Sequence, residues 1–246
     1  MSKLKKLYVS IILFIILALS IWYLTLDFSR FFSRNYSYDI YPSAMLKRIN
    51  AILAVFIAWA VDKDGLSLRD SRRMKAAFIF IILGEAAFAI GERAIGVGIF
   101  TVCQTLLIVR NSTGLKYKLK HASHIQKKRL IISGFILMLI LAVFSFMFAS
   151  LIKLCSAFIA AYLYGIVLSI SLWAGLAANT LELLPKRNSV MVAVGMICFY
   201  CCDVLVGLDA VMEAGLPWLW ANSLIWIFYI PALVLLALSC YRYNNI

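Results

Sequence analysis

The chain has 246 residues, 64% of them hydrophobic and 14% charged, with a mean hydropathy of +0.95 and a net charge of +13. A water-soluble domain carries roughly 25% charged and 45–50% apolar residues, so this composition excludes a soluble globular fold. The basic excess does not point to nucleic acid, because in a membrane protein the placement of Lys and Arg matters more than their sum.

Taken in chain order, the apolar segments predict an all-α, polytopic integral membrane protein with about eight transmembrane helices. They lie near 7–26, 44–61, 74–91, 94–109, 130–150, 156–178, 189–208 and 217–240. Backbone amides in hydrocarbon need internal partners, which selects helices over open strands. The basic start MSKLKK resembles a signal-peptide n-region, but the apolar run after it is too long and lacks a small-x-small cleavage site. It reads as a signal-anchor and first span. The second span begins with Lys47 and Arg48, which are expected to snorkel to the interface. Asn35-Tyr36-Ser37 forms a glycosylation sequon on a predicted outer loop. Pro217 suits a helix start, and Pro231 is expected to kink the last span.

With the N-terminus inside, 18 of the 24 basic residues fall on inner segments. Only Arg30, Arg34, Lys47, Arg48, Arg93 and Lys153 are left outside. That asymmetry fits eight spans with both termini cytoplasmic. Trp22, Tyr23, Trp218 and Trp220 fall at outer ends and Trp59, Tyr241 and Tyr243 at inner ends, as interfacial anchors do. The long basic segment after the fourth span divides the single domain into two four-helix halves. A loop that sets topology explains it more simply than specific lipid recognition.

The six cysteines fall within or beside apolar segments and read as small buried hydrophobes. His121 and His124, the two histidines, share one turn of the basic loop. Neither group supplies four zinc ligands, so no metal and no cofactor is expected.

Two acids lie well inside the spans. Glu85 sits about six residues from the outer end of the third, roughly 9 Å deep at 1.5 Å per residue. Asp203 sits about five residues from the outer end of the seventh, roughly 8 Å deep by the same rise. Both helices run from inside to outside, so the carboxylates can share one level. An acid in a span costs about 2.5–3.5 kcal/mol even on the lenient insertion scale, which makes it a candidate for function. In a common cavity, mutual repulsion would leave a protonated acid beside an ionised one. Gln104, Tyr200, Tyr162 or Tyr164, Ser223 and Tyr229 are polar residues that can line the same cavity.

The segments holding these acids resemble the YhhN-type lysoplasmalogenase family of eight-span membrane proteins. In the first half the resemblance rests on Gly84-Glu85 on one helix and Gly96, Phe100, Gln104 and Leu107 on the next. In the second it rests on Gly195, Phe199, Cys202, Asp203 and Gly207. Asp203 matches the family pattern. Glu85 replaces an Asp, Gln104 stands where the family has His, and Leu107 where it has Tyr. The resemblance implies a hydrolase that cleaves the vinyl-ether bond of lysoplasmalogens. It would use Glu85 and Asp203 as catalytic carboxylates and Gln104, Tyr164, Tyr200 and Tyr229 against the lipid. Lysophospholipid and membrane lipid are then the expected partners. A non-catalytic lipid-binding member, or a proton-coupled transporter using the same acids, are the competing readings.

Overall fold

A computed structural model describes residues 3–33, 42–151, 156–213 and 215–243. The sequon at Asn35, together with Arg34, Lys153 and Cys155, lies outside the described residues. The helices are α1 (Lys3–Ser33), α2 (Ser43–Trp59), α3 (Leu68–Ala89), α4 (Arg93–Asn111), α5 (Leu115–His121), α6 (His124–Leu151), α7 (Ser156–Thr180), α8 (Lys186–Asp209) and α9 (Leu216–Leu238). Among the described residues there is no strand, only one antiparallel bridge between Gly65 and Tyr241.

Local chemistry sets several helix ends. The Ser67 hydroxyl accepts from the Asp70 N–H at 3.1 Å and opens α3. Gly91, with φ +85°, makes the tight turn from α3 into α4. Ser123 and Gln126 form a reciprocal capping box at the start of α6: Ser123 N donates to Gln126 Oε1 at 2.9 Å, and Gln126 N donates to Ser123 Oγ at 3.3 Å. Pro217 lies in the first turn of α9, and α9 continues as one helix through Pro231.

Six helices close a ring. α2 packs on α3, α3 on α4, α4 on α7, α7 on α8, α8 on α9, and α9 returns to α2. The helices before and after the basic segment therefore meet along two seams. α1 lies outside the ring against α2 and α9, and α6 lies outside against α7. On α6, Ile131 is 72% exposed and Phe146 78%. An apolar face that open in a helix of this length faces lipid rather than water.

Six helices (α1, α4, α6, α7, α8 and α9) are long and apolar enough to cross a membrane, which marks an integral membrane protein. α2 has 17 residues, about 26 Å at 1.5 Å per residue. α3 opens with Arg69, Asp70, Arg72, Arg73 and Lys75, and these charges dilute its apolar run.

Polar locks tie both ends of the bundle. At the end carrying the N-terminus, Arg110 Nε donates to Asp70 Oδ1 at 2.8 Å, and Arg110 Nη2 donates to Asp70 Oδ2 at 3.2 Å. The amide of Asn188 donates to the carbonyls of Ser239 and Tyr241 at 2.8 and 2.7 Å. The Tyr241 hydroxyl donates to Ile57 O at 2.8 Å, so this expected interfacial anchor is buried instead.

At the opposite end the expectation for Lys47 is overturned. Its ammonium is fully buried, 2.7 Å from the equally buried Asp27 of α1. Asp27 also accepts from Ser43 at 2.5 Å and from Ser223 at 3.3 Å. Lys47 donates to Asn222 at 3.4 Å and lies 5.7 and 5.8 Å from the ring centroids of Tyr23 and Trp226. Snorkelling fails here because a carboxylate on the neighbouring helix meets the ammonium inside the bundle. Arg48, one residue on, is exposed as expected. Trp22 and Trp220 are likewise exposed, whereas Tyr23 and Trp218 turn inward.

Candidate functional site

The ring helices carry their polar residues inward at one level. Asp203 on α8 accepts a short hydrogen bond from the Tyr164 hydroxyl of α7 through Oδ2. Glu85 on α3 lies within electrostatic reach of Asp203 and beside the Tyr229 phenol of α9. Gln104 and Cys103 of α4 close the group. Gln104 stands next to Tyr164, and Cys103 lies near Asp203. The two carboxylates and Tyr164 are partly exposed, while Gln104, Cys103 and Tyr229 are buried. The acids thus keep some exposure while the groups behind them are closed off.

Packing explains how α3 and α4 bring these groups together. A Cβ added at Gly84, the residue before Glu85, would come within 2.5 Å of the Phe100 ring. A Cβ at Gly96 would meet Phe88 at 3.0 Å. The missing side chains let Phe100 nest against α3 directly beneath the acid. An aromatic series continues from there: Phe88 to Phe100 at 5.8 Å, Phe100 to Phe199 at 6.3 Å and Phe199 to Tyr229 at 5.8 Å between centroids. Tyr229 then meets Trp226 at 5.5 Å. This wall makes an apolar lining around a few convergent polar groups, as ligand sites do.

Three buried polar atoms in the cluster have no hydrogen-bond partner: both amide atoms of Gln104 and the Tyr229 hydroxyl. Each such atom costs about 1–3 kcal/mol when left dry. Their convergence beside two carboxylates marks a place for a ligand's polar group or for ordered water.

Of the residues expected to line the cavity, Glu85, Asp203, Gln104, Tyr164 and Tyr229 are brought together. Tyr200 lies beside Ser169 of α7, next to Cys201. Tyr162 is 42% exposed, and Ser223 serves the Asp27 network instead. Leu107 is buried in the core. The exposed Arg48 of α2 lies within electrostatic reach of Glu85. The sequence predicts only snorkelling to the interface for Arg48, and nothing in its position at a helix start links it to the acid. Asp27 was missed too. It falls one residue beyond the predicted first span, and its signal was the lysine opening the next one.

Among the described residues, no three His, Cys, Asp or Glu side chains gather as a metal site. The cluster offers two carboxylates, two phenols and one primary amide. Such a set can deliver a proton, stabilise a developing cation and orient water.

Compared with curated proteins and with solved structures, the chain matches none. A family model, that of the YhhN family, matches residues 43–240, from the first residue of α2 to just past α9. Every member of the carboxylate cluster lies within the matched region, while α1 and its Asp27 lie before it. Over most of its length, and over the whole of its candidate site, the chain belongs to the YhhN family.

Proposed function

We propose that this protein is a membrane-embedded hydrolase of the lysoplasmalogenase type, cleaving the vinyl-ether bond of a lysoplasmalogen. The observation that carries the reading is the pairing of Glu85 and Asp203 beside the unpartnered amide of Gln104. In this reading all eight long helices span the bilayer and both termini face the cytoplasm. The 18-to-6 division of basic residues supports that orientation.

A vinyl ether is cleaved once its double bond takes up a proton at the carbon farther from oxygen. Glu85, beside the Tyr229 phenol, is the proton donor. The other vinylic carbon then becomes an oxocarbenium ion. Asp203, oriented by Tyr164, faces that cation and accepts a proton from the water that adds to it. The hemiacetal collapses with cleavage of its bond to the glycerol oxygen, giving a fatty aldehyde and a glycerophospho-alcohol. Asp203 passes the water's proton to the departing glycerol oxygen and the hemiacetal hydroxyl gives its proton to Glu85, which restores both carboxyl groups for the next turnover. The logic parallels the paired carboxylates of glycosidases, with carbon rather than oxygen protonated. Gln104 can donate and accept hydrogen bonds without titrating, which suits it to hold the ether oxygen or the water.

Purified protein in detergent, given lysoplasmenyl-ethanolamine, should release aldehyde, and a Gln104→His variant should retain or raise that activity. Absence of aldehyde from both forms refutes the reading. The Gln104 and Leu107 positions favour one alternative, a lipid-binding member without turnover. Lysolipid that copurifies intact and is never cleaved would establish that alternative.

A further inference from the structure

The end of the bundle remote from the carboxylates carries a second feature, which the hydrolase reading does not use. An open groove of about 700 Å3 runs between α5, the start of α6 and α7. At its rim stand Lys116 and Lys120 from α5 and Lys127 from α6. Beyond them the lining turns apolar, with Leu130, Phe135 and Met138 along α6 and Trp173 from α7.

The lining residues of α6 recur at helical spacing from Lys127 through Leu130, Ile131, Gly134 and Phe135 to Met138, and so form one face. From Lys127 to Met138 is 11 residues, about 16 Å at 1.5 Å per residue. That matches one leaflet of a hydrocarbon core roughly 30 Å thick. The groove thus passes from ammonium groups to a hydrocarbon trough over the depth of one acyl chain.

The helices that build the groove, α5, α6 and α7, carry no acidic residue. No Asp or Glu occurs between Glu92 and Glu182 in the sequence. The rim is also fixed in place. Leu115 and Leu119 anchor α5 on Leu130 and Leu181. The Ser123–Gln126 capping box is held to α7 by Gln126 Nε2 donating to Thr180 O at 3.0 Å. Trp173 Nε1 donates to Leu130 O at 3.0 Å, which fixes the trough wall. Gly134 keeps the trough open, and a Cβ there would only reach ordinary contact with Trp173 at 3.4 Å.

We propose that this groove binds one anionic glycerophospholipid, its phosphate against Lys116, Lys120 and Lys127 and one acyl chain along α6 beside Gly134. Charge complementarity selects the anionic headgroup, and the trough selects a lipid over a free anion. The site is independent of the hydrolase reading, since it lies outside the ring and at the opposite end from Glu85 and Asp203.

The test is lipid retention by the purified full-length protein in mild detergent, read by native mass spectrometry. The probes are phosphatidylglycerol and phosphatidylcholine with identical chains. Wild type should retain one phosphatidylglycerol in preference to phosphatidylcholine. Lys116→Gln/Lys120→Gln/Lys127→Gln should weaken phosphatidylglycerol binding on the order of 100-fold, the combined effect of three cations near an anionic headgroup. Lys6→Gln/Lys63→Gln/Arg72→Gln, which removes the same charge elsewhere, should leave it unchanged. Gly134→Leu should fill the trough and abolish retention of phosphatidylglycerol with the lysines intact. Equal retention of both lipids by wild type would overturn the proposal. So would an equal loss in the charge-matched control, unchanged retention by Gly134→Leu, or displacement of the lipid by millimolar inorganic phosphate.

Discussion

Replacing Lys47 by methionine removes one half of a fully buried ion pair. The ammonium lies 2.7 Å from Asp27, and the two side chains are 0% and 1% exposed. At an effective dielectric of 20 the gross attraction across that distance is roughly 6 kcal/mol, much of it offset by the cost of dehydrating both charges. The variant takes the ammonium from Asp27, whose carboxylate keeps the hydrogen bonds from the Ser43 and Ser223 hydroxyls. Breaking such a pair from one side costs about 3–5 kcal/mol. Replacing both partners with apolar residues of similar volume is often neutral, because no charge is stranded. Lys47→Met should therefore lower stability by several kcal/mol in an unfolding titration in mixed micelles, and Asp27→Leu/Lys47→Met should recover most of the loss. A single variant within about 1 kcal/mol of wild type would refute the reasoning. A double variant as unstable as the sum of its singles would also refute it.

Tyr164→Phe removes the hydroxyl that donates to Asp203. A hydrogen bond to an ionised group contributes about 1.5–3 kcal/mol, so aldehyde release should fall about 10- to 100-fold in a fold that stays intact. An unchanged rate would remove Tyr164 from the site. At the N-terminal end, the Lys5 ammonium, 3.1 Å from Asp64, holds that carboxyl below the usual carboxylate range. A depressed folded-state pKa contributes stability above the unfolded value, near 3.9, and that stability is lost as the pH falls through the folded value. The protection factors of amides in the first turns of α1, corrected for the intrinsic pH dependence of exchange, should therefore fall as the pH drops from about 5 to about 3 and stay constant above that. Lys5→Gln should shrink the response; an identical response in the variant would exclude this pair as its source.

The helices were legible because length and hydropathy report directly on what a bilayer demands of a backbone. Their polar extensions were not. α3 begins at Leu68 and α8 at Lys186, several residues before the apolar runs, because Ser67 and Pro185 set those ends regardless of hydropathy. The ring was hidden as well, since the seams of α4 on α7 and α2 on α9 join segments distant in sequence. The carboxylates stood out by their cost in hydrocarbon, and their common depth followed from residue counts. Asp27 did not stand out, because one residue beyond an apolar run looks like a solvated end. Only the packing of α1 against α2 shows that its partner is Lys47. Tyr200 shows the limit of face arguments. Three residues before Asp203, it shares that acid's face of α8 and does reach α7, but beside Ser169 rather than beside Tyr164.

In the proposed reaction this site protonates a vinyl ether at carbon, and isotope incorporation reads that step directly. Purified protein and lysoplasmenyl-ethanolamine in D2O, with the aldehyde trapped as it forms, should give product carrying one deuterium on the carbon next to the carbonyl. Asp203→Asn and Glu85→Gln should each abolish that product. Aldehyde free of deuterium, or undiminished labelled aldehyde from either variant, would contradict the account.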